Sequence, residues 1–204
     1  MFILVRKSGY SAARRSFDPF HIGHMAIITK AFEQLKLDKV IIVPTTVNYY
    51  RQDKRYFFTY DEKCVIIQHF LCGCPYDVEI NTIEKDKDGS WRTIDLVQYF
   101  KKEYPKDILY LIIGEDSFKE FKTWARWREI VDYVRLAVAN RSDHVTKTIE
   151  LNRNKDPDDD DVLVATPIDM GTEYEECSAT NTRNKLIAEV MDMYLSDAEW
   201  YGRK

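Results

Sequence analysis

The sequence predicts an α/β fold, a single doubly wound parallel sheet with helices on both faces. Three observations carry this reading. Lys39-Val40-Ile41-Ile42-Val43-Pro44 and Ile108 to Ile113 are continuous apolar runs, as expected of strands buried on both faces. Strand-like and helix-like stretches alternate along the whole chain, the pattern of a parallel sheet. The stretches richest in chemistry, Ser16–His24, Gly114–Asp116 and Ser178–Arg183, fall in loops that follow strands, and in such a sheet those loops gather on one edge.

The elements can be justified in order. Residues 2–5 read as a short buried strand, and Arg6 to Arg15 as loop, or strand only in part. Phe17-Asp18-Pro19 turns the chain, because Pro19 biases Asp18 away from helical geometry. Met25, Ile28, Phe32 and Leu35 recur at helical spacing, so a helix opens at His24 and runs to about Leu37. After the strand at 39–43, Thr45 to Phe58 is a long, tyrosine-rich, basic loop, read equally as a solvated crossing or a substrate lid. Thr59 with Glu62 fits a capping box, and Val65, Ile66 and Phe70 supply that helix's apolar face.

Asp77 to Ile83 alternates, which predicts a strand with one wetter face, and Lys85 to Gly89 is a charged turn. Thr93 to Tyr104 reads as helix with Ile94, Val97 and Phe100 inward. Ile108–Ile113 is the central strand, ended by Gly114, and short helices follow at Ser117–Phe121 and Arg128–Tyr133. Arg135–Ala139 is a fifth strand, and Ser142-Asp143-His144 starts another helix. The acidic run Asp156–Asp161 reads as a solvated loop, since consecutive aspartates cannot all face one ion. Val162–Thr166 makes a sixth strand, and Ser178 can cap a last long helix over roughly Asn181–Leu195. No repeat or linker divides the chain, so residues 1–204 read as one domain.

Composition excludes several classes. A net charge of −4 and a pI of about 5.7, with basic residues scattered rather than striped, argue against a general nucleic-acid binder. No segment has the apolar length of a membrane span, and Met1–Lys7 places its apolar residues before its charges, the reverse of a signal peptide. The expectation is a soluble, cytoplasmic protein. Cys72-Gly73-Cys74 is too tight for a zinc knuckle, so Cys64, Cys72, Cys74 and Cys177 read as free thiols of a reducing compartment. The oligomeric state is open, a homo-oligomer included.

His21 and His24 flank Gly23 at the mouth of a predicted helix, whose first turn carries unpaired N–H groups and the positive end of the dipole. The histidines would add donors to such a phosphate seat, and Gly23 would let a ligand approach the backbone. By spacing alone, the same pattern suits an ordinary surface turn. The run Ser16-Phe17-Asp18-Pro19-Phe20-His21-Ile22-Gly23-His24 nevertheless resembles the His-x-Gly-His motif of the nucleotidyltransferase superfamily. Ile112-Ile113-Gly114-Glu115-Asp116 with Trp124 and Trp127, and Ser178-Ala179-Thr180-Asn181-Thr182-Arg183, which looks like the family's Ser-x-Thr-x-x-Arg, narrow the match. Together these stretches resemble the bacterial nicotinate-nucleotide adenylyltransferases over nearly the whole chain.

The resemblance implies a Rossmann-like nucleotidyltransferase fold and a reaction in which a pyridine mononucleotide's phosphate attacks the α-phosphorus of ATP and pyrophosphate leaves. It implies that His21, His24 and Arg183 are catalytic, and that Ser16, Phe17, Gly23, Ser178 and Thr180 join them in binding ATP. Thr93, Asp116, Trp124 and Arg141 would bind the mononucleotide, with Trp124 stacked on the pyridine ring and Asp116 on ribose hydroxyls. Mg²⁺ is expected with ATP, bridging phosphate oxygens, and no protein ligand is assigned to it. The partners implied are ATP and a pyridine mononucleotide, acid or amide, with neither nucleic acid nor membrane.

The chain also departs from the family pattern. Arg14 and Arg15 stand where two glycines usually precede the Ser-Phe-Asp-Pro run, Trp91-Arg92-Thr93 replaces a Ser-Tyr-Thr, and Ser142-Asp143 replaces a Pro-Gly. Two other readings therefore stand beside the first. One is a sister transferase such as pantetheine-phosphate adenylyltransferase, against which Trp124 argues, because a non-aromatic substrate gives a stacking ring no role. The other is a nucleotide-binding or regulatory protein of the same fold without turnover, which Arg14-Arg15 favours.

Overall fold

The computed structural model describes residues 2–6, 9–10, 17–46, 56–86, 91–140, 163–171, 174 and 177–189. Among them, β1 (Phe2–Arg6) and β2 (Gly9–Tyr10) form a hairpin, followed by α1 (Ile22–Leu35) and β3 (Lys39–Ile42). Then come α2 (Tyr60–Leu71), β4 (Val78–Ile80), the single turn α3 (Ile83–Asp86) and α4 (Thr93–Glu103). The chain continues through β5 (Leu109–Gly114), α5 (Glu115–Lys119), a 3₁₀ turn at Phe121–Thr123, α6 (Trp127–Tyr133), β6 (Val134–Asn140) and β7 (Ala165–Asp169). A last helix, α7, covers residues 179–189.

The sheet runs in the order β4-β3-β1-β5-β6-β7, with β2 also paired to β1. β3–β4, β5–β6 and β6–β7 are parallel, as the alternating pattern predicts. Val40–Val43, Leu109–Ile113 and Leu136–Ala139 are buried throughout, which is why these segments read as unbroken apolar runs. The departure from the expected all-parallel sheet is β1, which runs antiparallel to both β3 and β5. The hairpin explains this. β2 pairs antiparallel to β1, so β2 runs with β3 and β5. The chain thus heads for the carboxyl edge of the sheet, which the connections after β3, β4, β5, β6 and β7 share.

Several boundaries move for identifiable reasons. α1 starts at Ile22, two residues earlier than predicted, because His21 takes extended geometry (φ −149°, ψ 172°) and caps it. Thr59 caps α2 as expected, with the Thr59–Glu62 box closed in both directions: Glu62 N donates to Thr59 Oγ1 at 3.3 Å and Thr59 N to Glu62 Oε2 at 2.7 Å. The inward face of α2, however, carries Lys63 and Ile67, while Val65 is 63% exposed. β4 is a three-residue edge strand, half-buried at every position, rather than an alternating strand over Asp77–Ile83. The Asn81 carboxamide accepts from Ile83 N at 3.0 Å, so helical geometry begins before the predicted charged turn.

β7 lies three residues later than expected and contains Pro167, which a strand at a sheet edge tolerates. The Gln34 side chain of α1 bonds both the N–H and the carbonyl of Asp169 at its end, at 3.0 and 2.9 Å. This fixes the first helix to the last strand. The 47–55 part of the long loop, the predicted helix at 142–144, the acidic run and residues 190–195 lie outside the described residues.

Candidate active site

The chain enters the carboxyl edge through Phe17-Asp18-Pro19-Phe20, all buried. Phe17 has φ 43°, a left-handed conformation rare for a large side chain, and its ring is inside the protein. The His21 carbonyl accepts from His24 N at 2.8 Å and Met25 N at 3.4 Å, and His21 N donates to His24 Nδ1 at 3.2 Å. With Nδ1 accepting, the neutral His24 ring carries its proton on Nε2. The two imidazoles lie 3.8 Å apart, centroid to centroid, and are 5% and 4% exposed.

Phenyl rings wall them in. Phe17 meets His24 edge-on at 5.1 Å, Phe20 lies 5.0 Å from it, and Phe20 rests on Phe70 of α2 at 5.3 Å. Any charge developing beside these donors does so in a poorly screened setting.

The Ser178–Arg183 stretch is brought against this turn. Ser178 Oγ accepts from Asn181 N at 3.1 Å, the expected N-cap bond of α7. Arg183 Nη1 donates to the Asp18 carbonyl and stands 3.6 Å from the Asp18 carboxylate, while Nη2 donates to Thr180 Oγ1 at 3.2 Å. The Asp18 carboxylate also accepts from Phe57 N and Phe58 N at 2.9–3.0 Å. Asp18 is therefore a hub of the site that the sequence marked only as a turn residue.

Gly23 makes the second junction. A Cβ there would lie 2.8 Å from Cys177 Cβ and 3.1 Å from the His21 ring. What the glycine admits is the segment leading into α7. Gly23→Ala should destabilise the protein by about 1–3 kcal/mol through overpacking, a fall in Tm of roughly 2–4 °C per kcal/mol for a chain of this size. Thermal unfolding checks this, and an unchanged Tm would mean that α1 and residue 177 are not in contact.

A second group stands at the same edge, after β5. Gly114 ends the strand and caps α5, and Asp116 on the first turn of α5 is solvent-exposed. Trp124 follows the 3₁₀ turn, half-buried, with one side on the buried Phe121 at 5.1 Å. Trp127 instead sits under cations, Arg128 at 4.5 Å and Lys122 at 5.7 Å from its ring centre. Thr93 opens α4 and is half-buried. Ser16 and Arg141 lie outside the described residues, as do Arg14 and Arg15.

Behind the motif, Lys63 and Glu84 are 1% and 0% exposed. Lys63 Nζ donates to the Thr45 carbonyl at 3.4 Å and lies 3.3 Å from the Tyr56 ring centre, and Glu84 accepts from Thr46 N at 3.2 Å. These side chains pin the residues on either side of 47–55, and nothing in their local sequence announces burial. Burial also pushes the Tyr60 hydroxyl and the Cys64 thiol up, so neither is an activated nucleophile at neutral pH. No group of three or more His, Cys, Asp or Glu side chains able to hold a metal occurs among the described residues, and no described helix is long and apolar enough to cross a membrane.

Comparison with known proteins gives the family. Residues 16–185 match the family model described as cytidylyltransferase-like. A "Probable nicotinate-nucleotide adenylyltransferase" of Fusobacterium nucleatum is 30% identical over 172 residues, 84% of this chain and 83% of that protein. One of the same name from Maridesulfovibrio salexigens is 29% identical over 140 residues, 68% of this chain and 64% of its own length. Among solved structures, the Plasmodium falciparum nicotinic acid mononucleotide adenylyltransferase complexed with NaAD superposes with a TM-score of 0.64 at 14% identity, over 85% of this chain and 82% of that one. The chain belongs to the cytidylyltransferase-like family, and within it to the nicotinate-nucleotide adenylyltransferases.

Proposed function

We propose that the protein transfers the adenylyl group of ATP to nicotinate mononucleotide, releasing pyrophosphate and forming nicotinate adenine dinucleotide. The observation that carries this reading is that the turn bearing His21 and His24 also bears Asp18, which holds Arg183, at a sheet edge that also carries Asp116 and Trp124. The attacking phosphate is already an anion, so neither a covalent enzyme intermediate nor a general base is required. Catalysis reduces to holding two anions in line and stabilising charge on the α-phosphate and the leaving group.

His24 Nε2 and the His21 ring supply donors to the α- and β-phosphates. Arg183, near the start of α7 and held by Asp18, binds the leaving phosphates together with Thr180 and the amino end of that helix. Magnesium would enter with ATP as part of the substrate and would supply charge stabilisation at the phosphates.

Trp124 bears on the choice of acceptor. Its indole is backed by Phe121 and half-exposed, a fixed aromatic face for a flat pyridine ring. Trp124→Ala should raise KM for the mononucleotide and leave KM for ATP nearly unchanged. Stacking on an aromatic side chain is worth about 1–3 kcal/mol per base, roughly 5- to 150-fold in affinity. Steady-state kinetics with each substrate varied in turn tests this, with nicotinate mononucleotide, nicotinamide mononucleotide and phosphopantetheine compared as acceptors. A larger effect on ATP, or a preference for phosphopantetheine, would remove the pyridine assignment.

A further inference from the structure

We propose that Asp18 is a positioning residue, whose buried carboxylate orients the Arg183 guanidinium toward the triphosphate and couples that orientation to the backbone at Phe57 and Phe58. The inference rests on the adenylyl-transfer reading and deepens it. The two carboxylate oxygens divide the work. Oδ1 accepts from Phe57 N at 3.0 Å and Phe58 N at 2.9 Å, whereas Oδ2, also 3.0 Å from Phe57 N, is the oxygen that faces Arg183 Nη1 at 3.6 Å. The Asp18 carbonyl accepts from the same Nη1, and Thr180 takes Nη2.

A guanidinium is a rigid planar fork, so the Asp18 carbonyl and Thr180, each holding one nitrogen, define its plane, and the carboxylate at 3.6 Å supplies the negative charge that keeps the cation against them. Asp18 is 2% exposed and water does not compete for it, which strengthens its pull on the cation. The residue stands three positions before His21, so the turn that places the histidines also places the arginine. Three stretches distant in sequence meet on this one side chain.

The test is a double-mutant cycle of Asp18→Asn and Arg183→Ala. The asparagine oxygen can keep both N–H bonds made by Oδ1, while its NH₂ group replaces the anion that faces Arg183. In the presence of Arg183, Asp18→Asn should lower kcat by about 10- to 100-fold, the cost of a misplaced positioning group. In the Arg183→Ala background the same change should matter by less than about 2-fold, because the group through which Asp18 acts is gone. Two full effects that multiply, or an Asp18→Asn enzyme with wild-type kcat, would overturn the proposal.

The cycle is read a second time in equilibrium binding of magnesium-ATP, which needs no turnover. If the wild-type chain forms no dinucleotide, the adenylyl-transfer reading fails, and the binding cycle still decides the role of Asp18. Non-additive affinities support it, whereas additive affinities or no binding of ATP overturn it. Should Asp18→Asn unfold at the assay temperature, Arg183→Lys takes its place. An ammonium brings the charge without the fork, so it should lose nearly as much kcat as Arg183→Ala, and near-normal turnover in that variant would overturn the proposal.

Discussion

His24→Ala should lower kcat for dinucleotide formation by about 10²–10³ while leaving KM for ATP within a few fold, the cost typical of losing one donor to developing charge. The expectation follows from where the ring sits. His24 accepts from His21 N through Nδ1, packs against Phe17 and Phe20, and so presents Nε2 from a fixed, dry position. A donor held this way needs no reorganisation when charge moves onto the phosphates, which is why its effect belongs in turnover rather than in ground-state binding. The substitution also leaves His21 N without its acceptor and opens a hole between phenyl rings. A stability loss of about 1–3 kcal/mol should accompany it. Thermal unfolding separates the two effects, since a variant folded at the assay temperature with near-normal kcat would remove His24 from the chemistry.

Arg183→Ala is the second large expected effect, a fall of about 10²-fold or more in kcat/KM for ATP, with pyrophosphate becoming a weaker product inhibitor. Arg183 is four-fifths buried, bound to the Asp18 carbonyl and to Thr180, in the first turns of a helix whose amino end Ser178 caps. On the proposed reading, its removal takes away a fixed positive charge beside the leaving phosphates. The Asp18 carboxylate keeps its bonds from Phe57 N and Phe58 N, so the turn should survive and the loss should appear chiefly in kinetics. A variant in which kcat/KM for ATP is unchanged would show that the guanidinium is only a tie between α7 and the turn.

Much of this arrangement was legible in residue patterns, and the exceptions share a cause. The strands within 39–43 and 108–113 were readable because burial on both faces leaves no charged residue in Val40–Val43 or Leu109–Ile113. The Thr59–Glu62 box was readable because capping is a local exchange between residues three apart. The direction of β1 was not, since periodicity within a strand carries nothing about its partners' direction. The start of α1 was missed because histidine is not among the usual capping residues, and here the cap acts through its backbone. Lysine and glutamate are surface residues by type, and the burial of Lys63 and Glu84 depends on the Thr45 carbonyl, the Thr46 N–H and the Tyr56 ring brought over them. Asp18 was read from its neighbour Pro19, whereas its partners lie 39, 40 and 165 positions away. Tertiary contacts of that span are invisible to any local pattern.

The most direct test of the central claim follows the phosphorus atoms. Purified protein is incubated with magnesium, nicotinate mononucleotide and ATP labelled at either the α- or the γ-phosphate, and the products are separated. The account predicts that the α-label enters nicotinate adenine dinucleotide and the γ-label enters pyrophosphate, in equal amounts. Recovery of the α-label only as ATP, ADP or AMP, with nicotinamide mononucleotide as acceptor as well as nicotinate mononucleotide, would contradict it.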